Sequence, residues 1–291
     1  MKIAFNINLL GMEGLGATLS SLIKHCSDSQ QLELYFLCSD LTDVEKKDIH
    51  QLMRFNDFSG SIHFIDFNAK KQFSHLHSLH GDWTPYGRLL IPQLIPAEKV
   101  VYLDTDLIVL LDILDFDKIE LTDFPLAAGK IGKATQSWDA DFYINTLRFA
   151  EDVQVFNSGV LLFNINAWKV QNMDEKCKDY AQKYGAHFSS ADQTLLNAVM
   201  KGQFTPLPEQ FNLAWSAVSK AIEDPTNSII HFIGSPKPWD ILGGKVHTAY
   251  PLWNQYNPSF WAKKYNRISR DKLRRTWYIK KSIIRAIMRR S

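Results

Sequence analysis

The segment Val100-Val101-Tyr102-Leu103-Asp104-Thr105-Asp106 sets two aspartates one residue apart at the end of an apolar run. If that run is a strand, both carboxylates stand where it leaves the sheet and can face one cation. Carboxylate oxygen is the preferred ligand of Mg²⁺ and Mn²⁺, which bridge protein acids to substrate phosphates and ease diphosphate departure. Taken alone, the tripeptide is equally well a solvated turn, since Asp favours turns. Much later, His231 sits in a second short apolar run and is followed by Gly234, Lys237, Pro238 and Trp239. A histidine so placed is more often structural, but Gly234 permits backbone approach and Lys237 supplies a point charge, as a phosphate-facing loop requires.

The surrounding pattern predicts the elements that position these groups. Ile3–Ile7 reads as a buried strand, followed by a loop with Gly11, Gly14 and Gly16 and then a helix carrying Leu19, Leu22 and Ile23. Leu32–Leu37 and Ser61–Ile65 read as strands around a helical Asp43–Phe55, and Tyr86–Leu94 as a helix stopping before Pro96. Val155–Asn164 combines a glycine turn at Gly159 with an apolar strand; Met173–Tyr184 and Ala191–Val199 read as helices, and Ile229–Ile233 as a strand. Strands alternating with helices predict an α/β domain with a mostly parallel sheet and ligands beyond the carboxyl ends of its strands.

Composition excludes several classes. With 45% hydrophobic and 22% charged residues, 14 Gly and 11 Pro, the chain is neither disordered nor fibrous. Cys26, Cys38 and Cys177 lack metal-ligand spacing and are odd in number, which points to a reducing cytoplasm. The opening apolar run is too short for a secretory signal, and no stretch approaches the roughly 20 apolar residues of a membrane span.

An ordered set of segments resembles glycosyltransferase family 8, a retaining family with a GT-A (Rossmann-like) fold. Val101–Val109 resembles its aspartate motif, Tyr86-Gly87-Arg88-Leu89 its arginine-bearing helix, and Phe156-Asn157-Ser158-Gly159 its asparagine-glycine strand. Asp192-Gln193 with Leu196-Asn197 resembles its acceptor-side helix, and His231–Trp239 its histidine-lysine loop. The resemblance implies Asp104, Asp106 and His231 as ligands of Mn²⁺ or Mg²⁺, and Arg88, Thr105, Gly234 and Lys237 as donor contacts. It implies Asn157, Asp192 and Gln193 around the sugar, with Gln193 near the anomeric carbon. The first strand departs from the family: Asn6-Ile7-Asn8 replaces the usual acids, and Asn8 falls where an acid reads uracil. An amide still offers donor and acceptor, so a UDP-hexose remains the implied donor. Asp112, Asp115 and Asp117 read as a surface loop or helix entry without chemistry.

The charge is uneven. From Lys263 to Ser291 twelve Lys or Arg face one acid, Asp271, so the end carries +11 of a net +2 and the body −9. From Lys272 the basic residues alternate with Leu273, Trp277, Ile279, Ile283, Ile284, Ile287 and Met288, the pattern of an interfacial helix on an anionic membrane. Nucleic acid is the disfavoured partner, because the acidic body repels a polyanion. The sequence therefore predicts a transferase domain over residues 1–250 and a basic, aromatic-rich, membrane-associating helical tail over 251–291. Its place would be the inner face of the cell membrane, with a glycan or lipid-linked saccharide as acceptor. A sugar-nucleotide hydrolase, a nucleotidyltransferase and a non-catalytic membrane-bound scaffold are the alternatives.

Overall fold

The structure, a computed structural model, describes residues 1–289. Among the described residues ten strands are arranged in two sheets. The large sheet comprises β1 (Lys2–Ile7), β2 (Glu33–Ser39), β3 (Ser61–Phe67), β4 (Lys99–Leu103), β6 (Leu126–Lys133), β7 (Gln154–Asn164) and β8 (Thr205–Pro206). Its order is β3-β2-β1-β4-β7-β6-β8, and β7 alone runs against the others. The small sheet has the order β5 (Leu107–Val109), β10 (Ile229–Phe232), β9 (Leu213–Trp215). The chain is thus an α/β protein with a mostly parallel central sheet flanked by helices, as expected.

Alternation along the strands feeds two apolar layers, as a sheet covered on both faces requires. Ala4, Val100, Tyr102, Leu161 and Phe163 face one layer, which the helices Met173–Tyr184 and Asp192–Met200 cover with Cys177, Leu195 and Leu196. Ile3, Phe5, Val101, Leu103 and Leu162 face the other, covered by the helices Met12–His25 and Asp43–Phe55. The second of these starts on a reciprocal cap: Val44 N donates to Thr42 Oγ1 at 3.2 Å and Thr42 N to Glu45 Oε2 at 2.9 Å.

Three local readings are corrected. The first helix begins at Met12, so Gly14 and Gly16 lie inside it rather than in a loop. A glycine costs a helix about 1 kcal/mol against alanine, yet a Cβ at Gly16 would overlap the buried Trp261 indole, and one at Gly14 would overlap Thr105 O. Tyr86–Leu94 is a 3₁₀ segment, Thr84–Leu90, running into a single α-turn, Ile91–Leu94; Pro92 has no N–H to donate to Arg88 O and so breaks regular helix bonding. Gly159 makes no turn; it lies within the continuous strand β7.

After Tyr250 the chain forms the helices Tyr250–Tyr256, Ser259–Tyr265, Arg270–Tyr278 and Lys280–Met288. Trp253, Trp261 and Tyr265 are buried against the domain. The basic end is two helices broken at Ile279, not one, and its faces differ from the expected pattern. Lys272 is buried, and Ile283 and Ala286 pack on Ala217 and Val246. Ile268, Leu273, Trp277, Tyr278 and Ile284 are exposed. Arg290 and Ser291 lie outside the described residues. Among the described residues no helix is long and apolar enough to cross a membrane.

Candidate active site

β4 ends at Leu103 and β5 begins at Leu107, so Asp104, Thr105 and Asp106 form the corner by which the chain passes between the sheets. Backbone bonds pin both ends: Asp104 N donates to Gly159 O at 2.8 Å, and Phe232 N to Asp106 O at 3.0 Å. Between them Thr105 O accepts from Thr18 Oγ1 at 2.9 Å. On β10, His231 pairs in register with Leu107, which brings its imidazole to the same corner. Its Nε2 lies 3.3 Å from Asp106 Oδ1 and 3.9 Å from Asp104 Oδ2.

Asp104, Asp106 and His231 each offer a ligand atom within 4.8 Å of the others. Asp106 Oδ1 is buried without a hydrogen-bond partner, and buried carboxylate oxygens are ordinarily satisfied. Two carboxylates and an imidazole are a donor set suited to a divalent cation. The residues present therefore fit a metal. Gly159 makes the room: a Cβ there would overlap the His231 ring and stand 2.9 Å from Asp104 Oδ2.

A chain of amides sets the histidine. Gly159 N donates to Asn157 Oδ1 at 2.9 Å, which fixes that oxygen as the acceptor for Asn212 Nδ2 at 3.0 Å. Asn212 Oδ1 then faces His231 Nδ1 at 3.1 Å as the acceptor for a proton on that nitrogen, and Nε2 is the ring atom left toward the carboxylates. Asn157 Nδ2 donates to Gln193 Oε1, as does Ser158 N, each at 3.1 Å. Gln193 is thereby tied to the same network.

Arg88 organises the other side and is itself buried, its side chain 4% exposed. Its Nη2 lies 3.0 Å from Asp104 Oδ1, its Nε 3.0 Å from Asp192 Oδ2, and its Nη1 donates to Ser158 O. The guanidinium stacks 4.3 Å from the Tyr102 ring centroid, and Tyr102 Oη donates to Asp104 Oδ1 at 2.5 Å. Burial opposes the charge on Arg88, but Asp104 and Asp192 outweigh it and hold its pKa above the ordinary value. Burial pushes the Asp192 carboxyl up to about 6, with Arg88 pulling it down and Asp104 up. At Asp106 burial also pushes upward, but Lys237 and His231 prevail and the carboxyl ends below its usual range.

Lys237 Nζ donates to Asp106 Oδ2 at 2.6 Å and to Phe232 O. Gly234 holds φ +68 with nothing within 4 Å of where a Cβ would stand, so it serves the bend of this loop. Asp192 does not cap its helix; its Oδ2 accepts from Ser158 Oγ at 3.1 Å. Arg88 is spent on protein groups rather than facing outward. At the end of β1, Asn6 Nδ2 donates to Thr84 O at 3.1 Å. Asn8 Nδ2 donates to Asp82 Oδ2 at 2.8 Å, and its Oδ1 accepts from Gly11 N at 2.9 Å. Asp112 caps the 3₁₀ turn Ile113–Lys118 and takes no part.

Asn212, Tyr102 and Asp82 were not foreseen as site residues. Tyr102 lies on β4 two residues before Asp104, the spacing at which extended backbone turns side chains to one face, a signal the sequence carried. Asn212 and Asp82 lie in unpatterned segments and had none.

The model of Glycosyl transferase family 8 matches residues 2–243, and the chain belongs to that family. Among its relatives are glycosyltransferases GlyE and GlyA of Streptococcus pneumoniae serotype 4. GlyE is 28% identical over 81% of this chain and 56% of its own length; GlyA is 24% identical over 84% and 33%. The chain thus spans between a third and somewhat over half of these two proteins. General stress protein A of Bacillus subtilis is 22% identical over 83% of the chain and 86% of its own length. Galactosyltransferase LgtC, solved with donor and acceptor sugar analogues, superposes with a TM-score of 0.73 at 22% identity, covering 91% of this chain and all of LgtC. Apo GlyE superposes at 0.65 and 22% identity, over 97% of the chain and 64% of its own. These two likenesses carry the GT-A fold.

Proposed function

We propose that the chain transfers a hexose, galactose or glucose, from a UDP-sugar to a hydroxyl of a cell-surface glycan or lipopolysaccharide-type acceptor, using Mn²⁺ or Mg²⁺ and retaining the anomeric configuration. The observation that carries this reading is the convergence of Asp104, Asp106 and His231 at one sheet corner with Lys237 beside them. The galactosyltransferase named above, with sugar analogues as donor and acceptor, supports the hexose.

Asp104, Asp106 and His231 would hold the ion, which when bound supplies Lewis-acid stabilisation of the departing diphosphate. Lys237, already held in the site by Asp106, adds a positive charge for the diphosphate oxygens. Arg88 holds Asp104 and Asp192 in place, so that these groups need no rearrangement as charge develops. Gln193 is steadied by Asn157 and Ser158 for a place beside the anomeric carbon. Its carboxamide is a weak nucleophile, which favours return of the acceptor on the face the diphosphate leaves. The uracil belongs beyond β1, where the strand order reverses between β1 and β4. There Asp82, next to Asn8, supplies the acceptor that Asn8 spends elsewhere, and Asn6 lies alongside.

The exposed Ile268, Leu273, Trp277, Tyr278 and Ile284, among basic residues, support a peripheral site on the cytoplasmic, anionic face of the cell membrane.

The test is a panel of nucleotide sugars with Mn²⁺, a soluble saccharide acceptor and a chelator control. Metal-dependent transfer from a UDP-hexose with an α-linkage from the α-donor, read by proton NMR of the first product, is expected. Free sugar alone would make the protein a hydrolase, nucleotide exchange a nucleotidyltransferase. Undiminished transfer under chelation would remove the metal.

A further inference from the structure

The helix Arg270–Tyr278 lies against the loop that follows β10. Ser269 caps its start, accepting from Lys272 N at 3.2 Å. Lys272 and Arg275 are three apart, hence on one face, and both turn inward. Arg275 Nε donates to Asp240 Oδ1 at 2.6 Å and Nη2 to Asp240 Oδ2 at 3.2 Å, the two-point geometry of a strong pair. The same Nη2 donates to Ser235 Oγ at 3.2 Å. Lys272 Nζ donates to Trp239 O at 3.0 Å and lies 3.6 Å from Glu13.

Asp240 connects this helix to the site. It is 6% exposed, and its Oδ2 also accepts from Lys237 N at 2.7 Å, while the Lys237 ammonium reaches Asp106. A buried carboxylate that loses its cation must find another or draw in water. The nearest other partner of Asp240 is the backbone of Lys237, so the strain of losing Arg275 falls on that residue.

We propose that the helix Arg270–Tyr278 is a positioning element of the active site: Arg275, acting through Asp240, sets the 233–240 loop and thereby the Lys237 ammonium. Docking of the basic tail and readiness of the diphosphate site are then one event, and whatever lifts the helix loosens Lys237. The word diphosphate rests on the function proposed above; the mechanical link does not.

The first experiment needs no substrate. Hydrogen exchange is followed in the full chain, wild type and Arg275→Ala, at the amides of Lys237, Asp240 and Gly243, which bond to Asp240 Oδ2, Lys237 O and Asp240 O. Exchange there is expected to quicken about tenfold or more, with β1 and β4 unchanged. Asp240→Asn, which keeps an acceptor for Lys237 N but weakens the ion pair, gives an intermediate result and serves if Arg275→Ala fails to fold. With a UDP-hexose donor, kcat/KM falls about tenfold in Arg275→Ala and is partly restored in Arg275→Lys. If exchange quickens over Arg270–Tyr278 while residues 237–243 remain as in wild type, the helix merely rests on the loop and the proposal is wrong. A wild type inactive on every UDP-hexose overturns the functional reading and leaves the exchange result to decide this one.

Discussion

Asn212 Oδ1 stands 3.1 Å from His231 Nδ1, and this contact decides which face of the imidazole meets the two aspartates. Partners of this kind fix the tautomer of ligating histidines. Asn212→Ala is therefore expected to weaken Mn²⁺ affinity by about 10- to 100-fold while the fold persists. Calorimetric titration of the purified chain measures it; affinity equal to wild type would show that the amide chain is idle.

Gly159→Ala places a methyl where the His231 ring and Asp104 Oδ2 now stand. Either the ring moves or the strand does, and overpacking of this kind costs roughly 1–3 kcal/mol. Urea unfolding should register the loss, and metal binding should vanish with it. An alanine variant that keeps wild-type Mn²⁺ affinity would mean the corner is roomier than it looks.

Burial pushes the Glu13 carboxyl up to about 7, against the pull of Lys272. A glutamate raised above its ordinary 4.5 holds its proton in the folded chain where the unfolded chain has lost it. Its contribution is complete below pH 4.5 and disappears as pH rises towards about 7. Relative to Glu13→Gln, the wild type should thus lose stability across that window, by at most about 3 kcal/mol. Parallel stability curves for the two proteins would refute it.

Leu273 and Trp277 project into solvent from the helix whose other face carries Lys272 and Arg275. Replacing both with alanine is expected to reduce binding to anionic vesicles at least about tenfold, since burying such side chains is worth about 1.5–3 kcal/mol each. Turnover on a soluble acceptor should stay the same. The remaining binding should fall with salt, as charge attraction to lipid does. Deleting the tail from Lys272 is the poorer test, because it also removes the Lys272 and Arg275 contacts to the body. Equal sedimentation of variant and wild type would clear this face of membrane contact.

Much of this was legible because it is local. The unbroken apolar run Val100–Leu103 announces its strand without tertiary help, and Asp104, Asp106 and His231 were named through the family motifs that their segments resemble. The orientation of the groups was not. That Arg88 is closed off between Asp104 and Asp192 depends on β4, the helix Asp192–Met200 and the 3₁₀ segment meeting, and no spacing along the chain encodes it. Gly14 and Gly16 misled for the converse reason: glycine usually breaks helices, but here Trp261 and Thr105, distant in sequence, require the missing side chains. The tail misled through periodicity, which reports an apolar stripe but not which side of it the body covers.

Three residues, Asp104 to Asp106, join the two sheets, and each end of the junction is held by a backbone bond to a different strand. Inserting or deleting one residue would turn every side chain of β5 over and carry an aspartate to the wrong side. The interval between the acids is therefore a span dictated by architecture, because both its ends are anchored to strands.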